Sequence, residues 1–311
     1  MTTIQSHRHL AFALSLSGLL ACAPSPPTPV PAQAPGAAKA SKPDAEPAQA
    51  AKTALTPKVT PAPTVRAPRP IRAAAPTDKV HLTRTTGSVE GPFPYTIVAP
   101  SSDQADLPIV IALHGRGDRA EGFCRLIERL RLPYRFIVAE APLRWGLGSG
   151  KQWFDMKAAD RPERLRRRVE ELELLASKVA KRWPRAPMPS LLGFSQGAML
   201  ALQAVTQSPE RFKGVIALSG TLLETKGLAP VSVKRPIWLS AGDADRIVPS
   251  AATRQAADTL KKLGHEAEFF AFKGGHTVSA EVVTGIRTQL SQWYPRTPEA
   301  QGAEAKEKRA R

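Results

Sequence analysis

Between about residues 80 and 294, short and almost wholly apolar runs alternate with longer stretches whose apolar positions recur every three or four residues. Tyr95–Val98, Ile109–Leu113, Phe136–Ala139, Ser190–Phe194, Val215–Leu218, Ile237–Ser240 and Ala267–Phe272 are predicted strands. Most are apolar at every position, so a sheet built from them must be covered on both faces. That pattern fits a largely parallel sheet with helices on either side, the α/β class.

The longest helical stretch places Leu165, Val169, Leu172, Ala176, Val179 and Trp183 on one stripe. Asp160 and Glu163 are spaced as a capping pair, with Pro162 in the first turn. Arg164, Arg166, Arg167 and Arg168 fall mostly off the stripe. They read as a solvated face, with contact to an anionic substrate or lipid as the alternative.

The chain outside this region has a different character. Residues 23–79 contain 14 Pro and 16 Ala and no Phe, Trp or Tyr, too little apolar surface to offset the entropy of ordering. Residues 22–79 therefore read as a disordered tether, which as polyproline II would extend on the order of 150 Å. Residues 295–311, with five basic and three acidic side chains, read as a solvated basic tail. Ahead of the tether, Leu10–Ala21 is a twelve-residue stretch of apolar and small residues, too short to span a bilayer and suited to an export signal. It closes as Leu19-Leu20-Ala21-Cys22, which resembles the bacterial lipoprotein signal; the resemblance implies removal of residues 1–21 and lipidation of Cys22. Ala23 in place of Asp points to the outer membrane.

The net charge is +17, of which +9 falls on residues 80–294. A basic body near a membrane would be drawn to anionic lipid. Nucleic acid is a poor partner for an exported chain without a basic-aromatic motif. With only Cys22 and Cys124, a disulfide framework and a cysteine zinc site are excluded.

Gly193-Phe194-Ser195-Gln196-Gly197 lies where a predicted strand meets a predicted helix. A G-x-S-x-G turn needs small flanking residues, because it strains the serine backbone and brings neighbouring chain close. A serine hydroxyl becomes a competent nucleophile only beside an imidazole that takes its proton, itself oriented by a carboxylate. Both candidates follow at the carboxyl ends of later strands, in Gly242-Asp243-Ala244-Asp245-Arg246-Ile247-Val248-Pro249 and in Gly274-Gly275-His276-Thr277. His276 is the best general base. His81 precedes the core, and His265 reads as solvated in a helix-to-strand turn. Spacing does not decide between Asp243 and Asp245.

These segments, with Leu113-His114-Gly115-Arg116-Gly117-Asp118, Ala141-Pro142 and Trp153-Phe154-Asp155, resemble the phospholipase/carboxylesterase family, which includes the acyl-protein thioesterases. The resemblance implies an α/β-hydrolase fold acting on ester or thioester substrates with no metal or cofactor, and the 17 residues between Leu218 and Pro236 are too few for a cap domain. It also implies Ser195 as nucleophile, His276 as base, Asp245 as the orienting carboxylate, and an oxyanion hole made by the backbone N–H groups of Arg116 and Gln196. Arg116 departs from the apolar residue usual at its position. His114 is expected to brace the hole and Asp118 to fix the loop as an acceptor. Trp145, Trp153 and Phe154 are candidate substrate-binding residues; cover of the sheet edge is the alternative for Trp145, and core packing is favoured for Trp153. The leading expectation is an envelope-anchored serine esterase or thioesterase. Its rivals are a polysaccharide acetyl or feruloyl esterase and a non-catalytic envelope-binding lipoprotein that keeps the fold.

Overall fold

The structure, a computed structural model, describes residues 80–87, 91–101 and 104–295. The export signal, Cys22, the tether and nearly all of the basic tail lie outside the described residues.

Eight strands form one sheet in the order β1-β2-β4-β3-β7-β8-β9-β10. These are β1 (Leu82–Gly87), β2 (Tyr95–Pro100), β3 (Ile109–Leu113), β4 (Arg135–Ala139), β7 (Ser190–Phe194), β8 (Val215–Leu218), β9 (Pro236–Gly242) and β10 (Glu266–Phe272). β2 runs antiparallel to both of its neighbours, and every pairing from β4 to β10 is parallel. β3 and β8 are buried at every position, as their unbroken apolar runs require, and β4 is buried throughout although it opens on Arg135. The seven predicted strands are all present. β1 is an addition: Leu82-Thr83-Arg84-Thr85-Thr86-Gly87 carries one large apolar residue, and it lies at the sheet edge, where one flank faces water. A two-stranded hairpin, β5 (Leu143–Arg144) with β6 (Lys151–Gln152), also stands apart from any hydrophobic pattern.

Five helices cover the sheet: α1 (Ala120–Leu130), α2 (Arg161–Arg182), α3 (Gln196–Gln207), α4 (Ser250–Lys262) and α5 (Ala280–Trp293). Two apolar clusters result, one on each face. α2, α3 and α4 pack with Ile111, Leu113, Leu191 and Leu239 on one side. α1 and α5 pack with Val110, Ala112, Val138 and Ile216 on the other. Among the described residues no helix is long and apolar enough to cross a membrane.

The capping pair read at the start of α2 is not formed. Asp160 caps no backbone N–H and instead accepts from Arg164 Nε at 2.7 Å, because a nearby guanidinium outcompetes the helix end for its carboxylate. Arg166 pairs with Glu170, and Arg167 and Arg168 with Glu171, so this cluster is an ion-pair face, solvated at Arg166 and Arg167 and partly buried at Arg168.

Candidate active site

The sharpest turn in the body follows β7. Ser195 has φ 52° and ψ −117°, a conformation that costs a non-glycine residue about 1–3 kcal/mol, and its N–H donates to Leu218 O at 2.8 Å. The turn closes only because its flanks are glycines. A Cβ on Gly197 would lie 2.2 Å from Leu113 O, and one on Gly193 would lie 2.5 Å from Ala198 N. Ser195 therefore stands half-buried at the carboxyl end of the central strand, at the start of α3.

Two later loops converge at the same end of the sheet. His276 Nδ1 lies 2.7 Å from Asp245 Oδ2, across 31 residues of sequence. The other carboxylate oxygen, Asp245 Oδ1, accepts from the N–H groups of Ile247 and Val248, each at 2.9 Å. Burial alone would raise the Asp245 carboxyl; the bonds from His276, Val248 and Ile247 outweigh it and hold the group below its ordinary value. Asp243, the other candidate, is used differently: it accepts from Gly274 N at 3.0 Å and ties the two loops together. The His276 ring packs against Phe194, with centroids 4.9 Å apart, which seats the imidazole beside the residue that precedes Ser195.

The loop after β3 closes the third side. A Cβ on Gly115 would lie 3.0 Å from the Phe194 ring and 3.4 Å from Ser195 Cβ, so this loop runs close beside the serine turn. His114 is fully buried; its Nε2 accepts from Ala141 N–H at 3.1 Å, so Nδ1 carries the proton and donates to Gly115 O at 2.8 Å. Burial lowers its pKa, more than the Gly115 bond and nearby acids raise it, and keeps the ring neutral. Trp153 Nε1 donates to His114 O at 2.8 Å. The Gln196 side chain completes the frame: Oε1 accepts from Trp153 N at 2.8 Å and Nε2 donates to Phe154 O at 2.7 Å. Asp118 fixes the loop through its backbone, donating to Gly115 O and accepting from Lys151 N. Its carboxylate lies over Gly122 in the first turn of α1.

The family model for phospholipases and carboxylesterases matches residues 95–294. The chain belongs to the phospholipase/carboxylesterase family. It is thus a carboxylic ester hydrolase with an α/β-hydrolase fold. It is similar to acyl-protein thioesterase 1 of Neurospora crassa, 29% identical over 214 residues that cover 60% of this chain and 87% of the relative. It is also similar to acyl-protein thioesterase 1 of Gibberella zeae, 27% identical over 64% of this chain and 95% of the relative. Among solved structures, esterase PE8 matches with a TM-score of 0.55 and 28% identity, covering 63% of this chain and 96% of its own. The carboxylesterase from Bacillus cereus shares the fold, with a TM-score of 0.58 and 17% identity over 66% of this chain and 96% of its own.

Within this phospholipase/carboxylesterase family member, Phe154 is corrected from a substrate-facing to a core residue, and Trp153 takes the core position favoured for it. Trp153 and Phe154 are fully buried in the core, beneath the Gln196 amide, and offer no surface to a substrate. The Trp153 ring packs against Phe93 at 5.2 Å and against His114 at 5.4 Å between centroids. Trp145 is 46% exposed and lies on the Gly117 loop, where a Cβ on Gly117 would meet its ring at 3.1 Å. Leu147 and Ile247 are exposed on the hairpin loop and on the Asp245 loop. His265 is buried, not solvated: its Nδ1 accepts from Arg235 N at 3.3 Å. Cys124 is buried on α1, and burial pushes its thiol up to about 11, so it serves as packing. Among the described residues no three His, Cys, Asp or Glu side chains gather in a way that could hold a metal ion.

The pattern of residues gave no hint of the Gln196 side-chain fork or of the Asp243 tie. Gln196 stands inside the serine motif, where its backbone drew attention and its amide did not.

Proposed function

We propose that this protein hydrolyses ester or thioester bonds through an acyl-enzyme formed on Ser195. The observation that carries the reading is the His276–Asp245 hydrogen bond beside a serine held in a strained strand-to-helix turn. With Nδ1 committed to Asp245, the ring offers Nε2 to the hydroxyl. His276 takes the Ser195 proton as Oγ attacks the carbonyl carbon, and Asp245 stabilises the imidazolium that forms. Backbone N–H groups of Arg116 and Gln196 receive the negative charge on the carbonyl oxygen, each worth about 3 kcal/mol in the transition state. His276 then protonates the departing oxygen or sulfur. Water, deprotonated by the same ring, attacks the acyl-enzyme and releases the acid.

The segment between β8 and β9 contains no helix or strand, which supports an open site suited to soluble or short-chain esters. Reaction with a fluorophosphonate probe tests the reading. The intact protein is expected to label and Ser195→Ala is not; equal labelling of the two would overturn it.

Attachment to the bacterial envelope through lipidated Cys22, at the outer membrane, is part of the proposal and is supported by the Leu19–Cys22 sequence. Incorporation of labelled palmitate and recovery in the membrane fraction are expected, and both are expected to be lost in Cys22→Ser. A Cys22→Ser protein that still partitions with membrane would reject lipid anchoring.

A further inference from the structure

Arg116 is exposed on the loop whose preceding residue, Gly115, runs close beside Ser195. Its guanidinium carbon lies 5.9 Å from the centroid of the Trp145 ring, within cation–π range, so an otherwise mobile side chain has a seat beside the reacting serine. The seat is itself fixed. The hairpin that carries Trp145 is stitched to this loop by bonds from Gly117 N to Lys151 O at 2.7 Å and from Lys151 N to Asp118 O at 3.0 Å. Gly150 packs so closely on Gly117 that a Cβ there would lie 2.6 Å from Gly117 O.

The acids that could neutralise this loop are engaged elsewhere. Glu140 accepts from Arg119 Nε and from Ala120 N–H at the start of α1, and the Asp118 carboxylate covers the same helix turn. Among the described residues Arg116, Arg144 and Lys151 enter no ion pair, whereas Arg164, Arg166, Arg167 and Arg168 of α2 all do. Three unneutralised cations thus lie on the two stitched segments that border the serine. One of them projects from the residue whose backbone N–H faces the carbonyl oxygen in the mechanism above.

We infer that the Arg116 guanidinium, seated on Trp145, selects esters that carry a carboxylate or another anionic group close to the scissile bond. This rests on the hydrolase reading above and adds the substrate class. A guanidinium matches a carboxylate through two parallel N–H···O bonds, which fixes the orientation of the bound group as well as its charge. The Asp155 and Asp243 side chains, both exposed at this end of the sheet, are the acids that oppose such a substrate.

Two matched ester pairs test the inference on the full chain. The mono-para-nitrophenyl ester of adipic acid against para-nitrophenyl heptanoate puts the charge on the acyl side. The acetyl ester of para-hydroxybenzoate against that of para-hydroxybenzamide puts it on the leaving group. The quantity read is the ratio of kcat/KM for the charged to the neutral member, which cancels any change in the oxyanion hole itself. In at least one pair the ratio is expected to fall about tenfold in Arg116→Met, to fall further in Arg116→Glu, and to shrink with added salt in the wild type. Ratios unchanged by both substitutions, with the neutral esters still cleaved, would overturn the inference. Failure of the wild type to cleave either neutral ester would overturn the hydrolase reading and this one with it.

Discussion

The side-chain amide of Gln196 grips the backbone of Trp153 and Phe154 as a neighbouring strand would, donating to one carbonyl and accepting from the adjacent N–H. Gln196 is also the residue that follows Ser195, so the same side chain fixes the first turn of α3 against the segment that braces His114. Replacement by Leu would leave two buried backbone groups without partners, each costing about 1–3 kcal/mol. Gln196→Leu is expected to lose about 2–4 kcal/mol of stability in urea unfolding and to lower kcat more than it raises KM. Gln196→Glu, which keeps the acceptor for Trp153 N and loses the donor to Phe154 O, is expected to fall between.

Asp243 and Asp245 are two residues apart and do different work. Asp245→Asn disturbs the tautomer and orientation of His276 and is expected to lower kcat on the order of 10³–10⁴-fold. Asp243→Asn loosens the tie to Gly274 and is expected to cost about tenfold at most, since it removes a single partly solvated bond. Steady-state kinetics of the two proteins on one para-nitrophenyl ester decide the matter. Equal losses would show that the carboxylates had been assigned wrongly.

Gly242 sits where the acid-bearing and base-bearing loops cross. A methyl group there would lie 2.2 Å from Gly274 O and 2.4 Å from Gly275 O, so one loop must move. The shift would be delivered to His276, one residue further on. Gly242→Ala is expected to reduce kcat by about 10²-fold, as an ångström-scale misplacement does, while the sheet still forms. Far-ultraviolet circular dichroism and kcat, measured together, check both halves.

Two buried histidines set the acid side of the stability profile. Burial lowers the pKa of His114, and burial with the Arg235 charge lowers that of His265. Both folded values lie below the ordinary 6.5, so as pH falls the unfolded chain binds protons first. Stability from keeping these rings neutral is therefore complete above 6.5 and is lost as pH drops below it. Urea midpoints are expected to decline from pH 7.5 to pH 5.5, and the decline to be smaller in His265→Gln. The Asp245 carboxyl, held below its ordinary 3.8, adds a further loss only at more acidic pH.

What could be read from the sequence was what burial or strain writes into residue type. Apolar runs marked β3, β8, the Phe136–Ala139 part of β4 and the Leu191–Phe194 part of β7, because a strand covered on both faces favours apolar side chains along most of its length. The glycines around Ser195 marked the turn, because contacts as short as 2.2 Å admit no side chain. β1 left no such mark: its Thr and Arg residues serve an edge as well as they would serve a loop. Trp153 and Trp145, eight residues apart in one glycine-rich stretch, differ only in tertiary setting, one sealed under Gln196 and the other open on the Gly117 loop. His265 looked like a turn residue and is a buried acceptor, because its burial comes from Arg235 and β9, thirty residues away.

The antiparallel turn of β2 also decides where the polypeptide joins the body. Leu82 pairs with Pro100, and Val98 pairs with Phe136, so β1 begins level with the start of β4, at the foot of the sheet. α5 finishes at the same foot, where the Tyr294 hydroxyl donates to Met188 O at 2.8 Å, just before β7. Ser195, Asp245 and His276 occupy the opposite rim. The described polypeptide therefore enters and leaves the body on the side away from these three residues, so the ends of the body and the proposed chemistry occupy different faces.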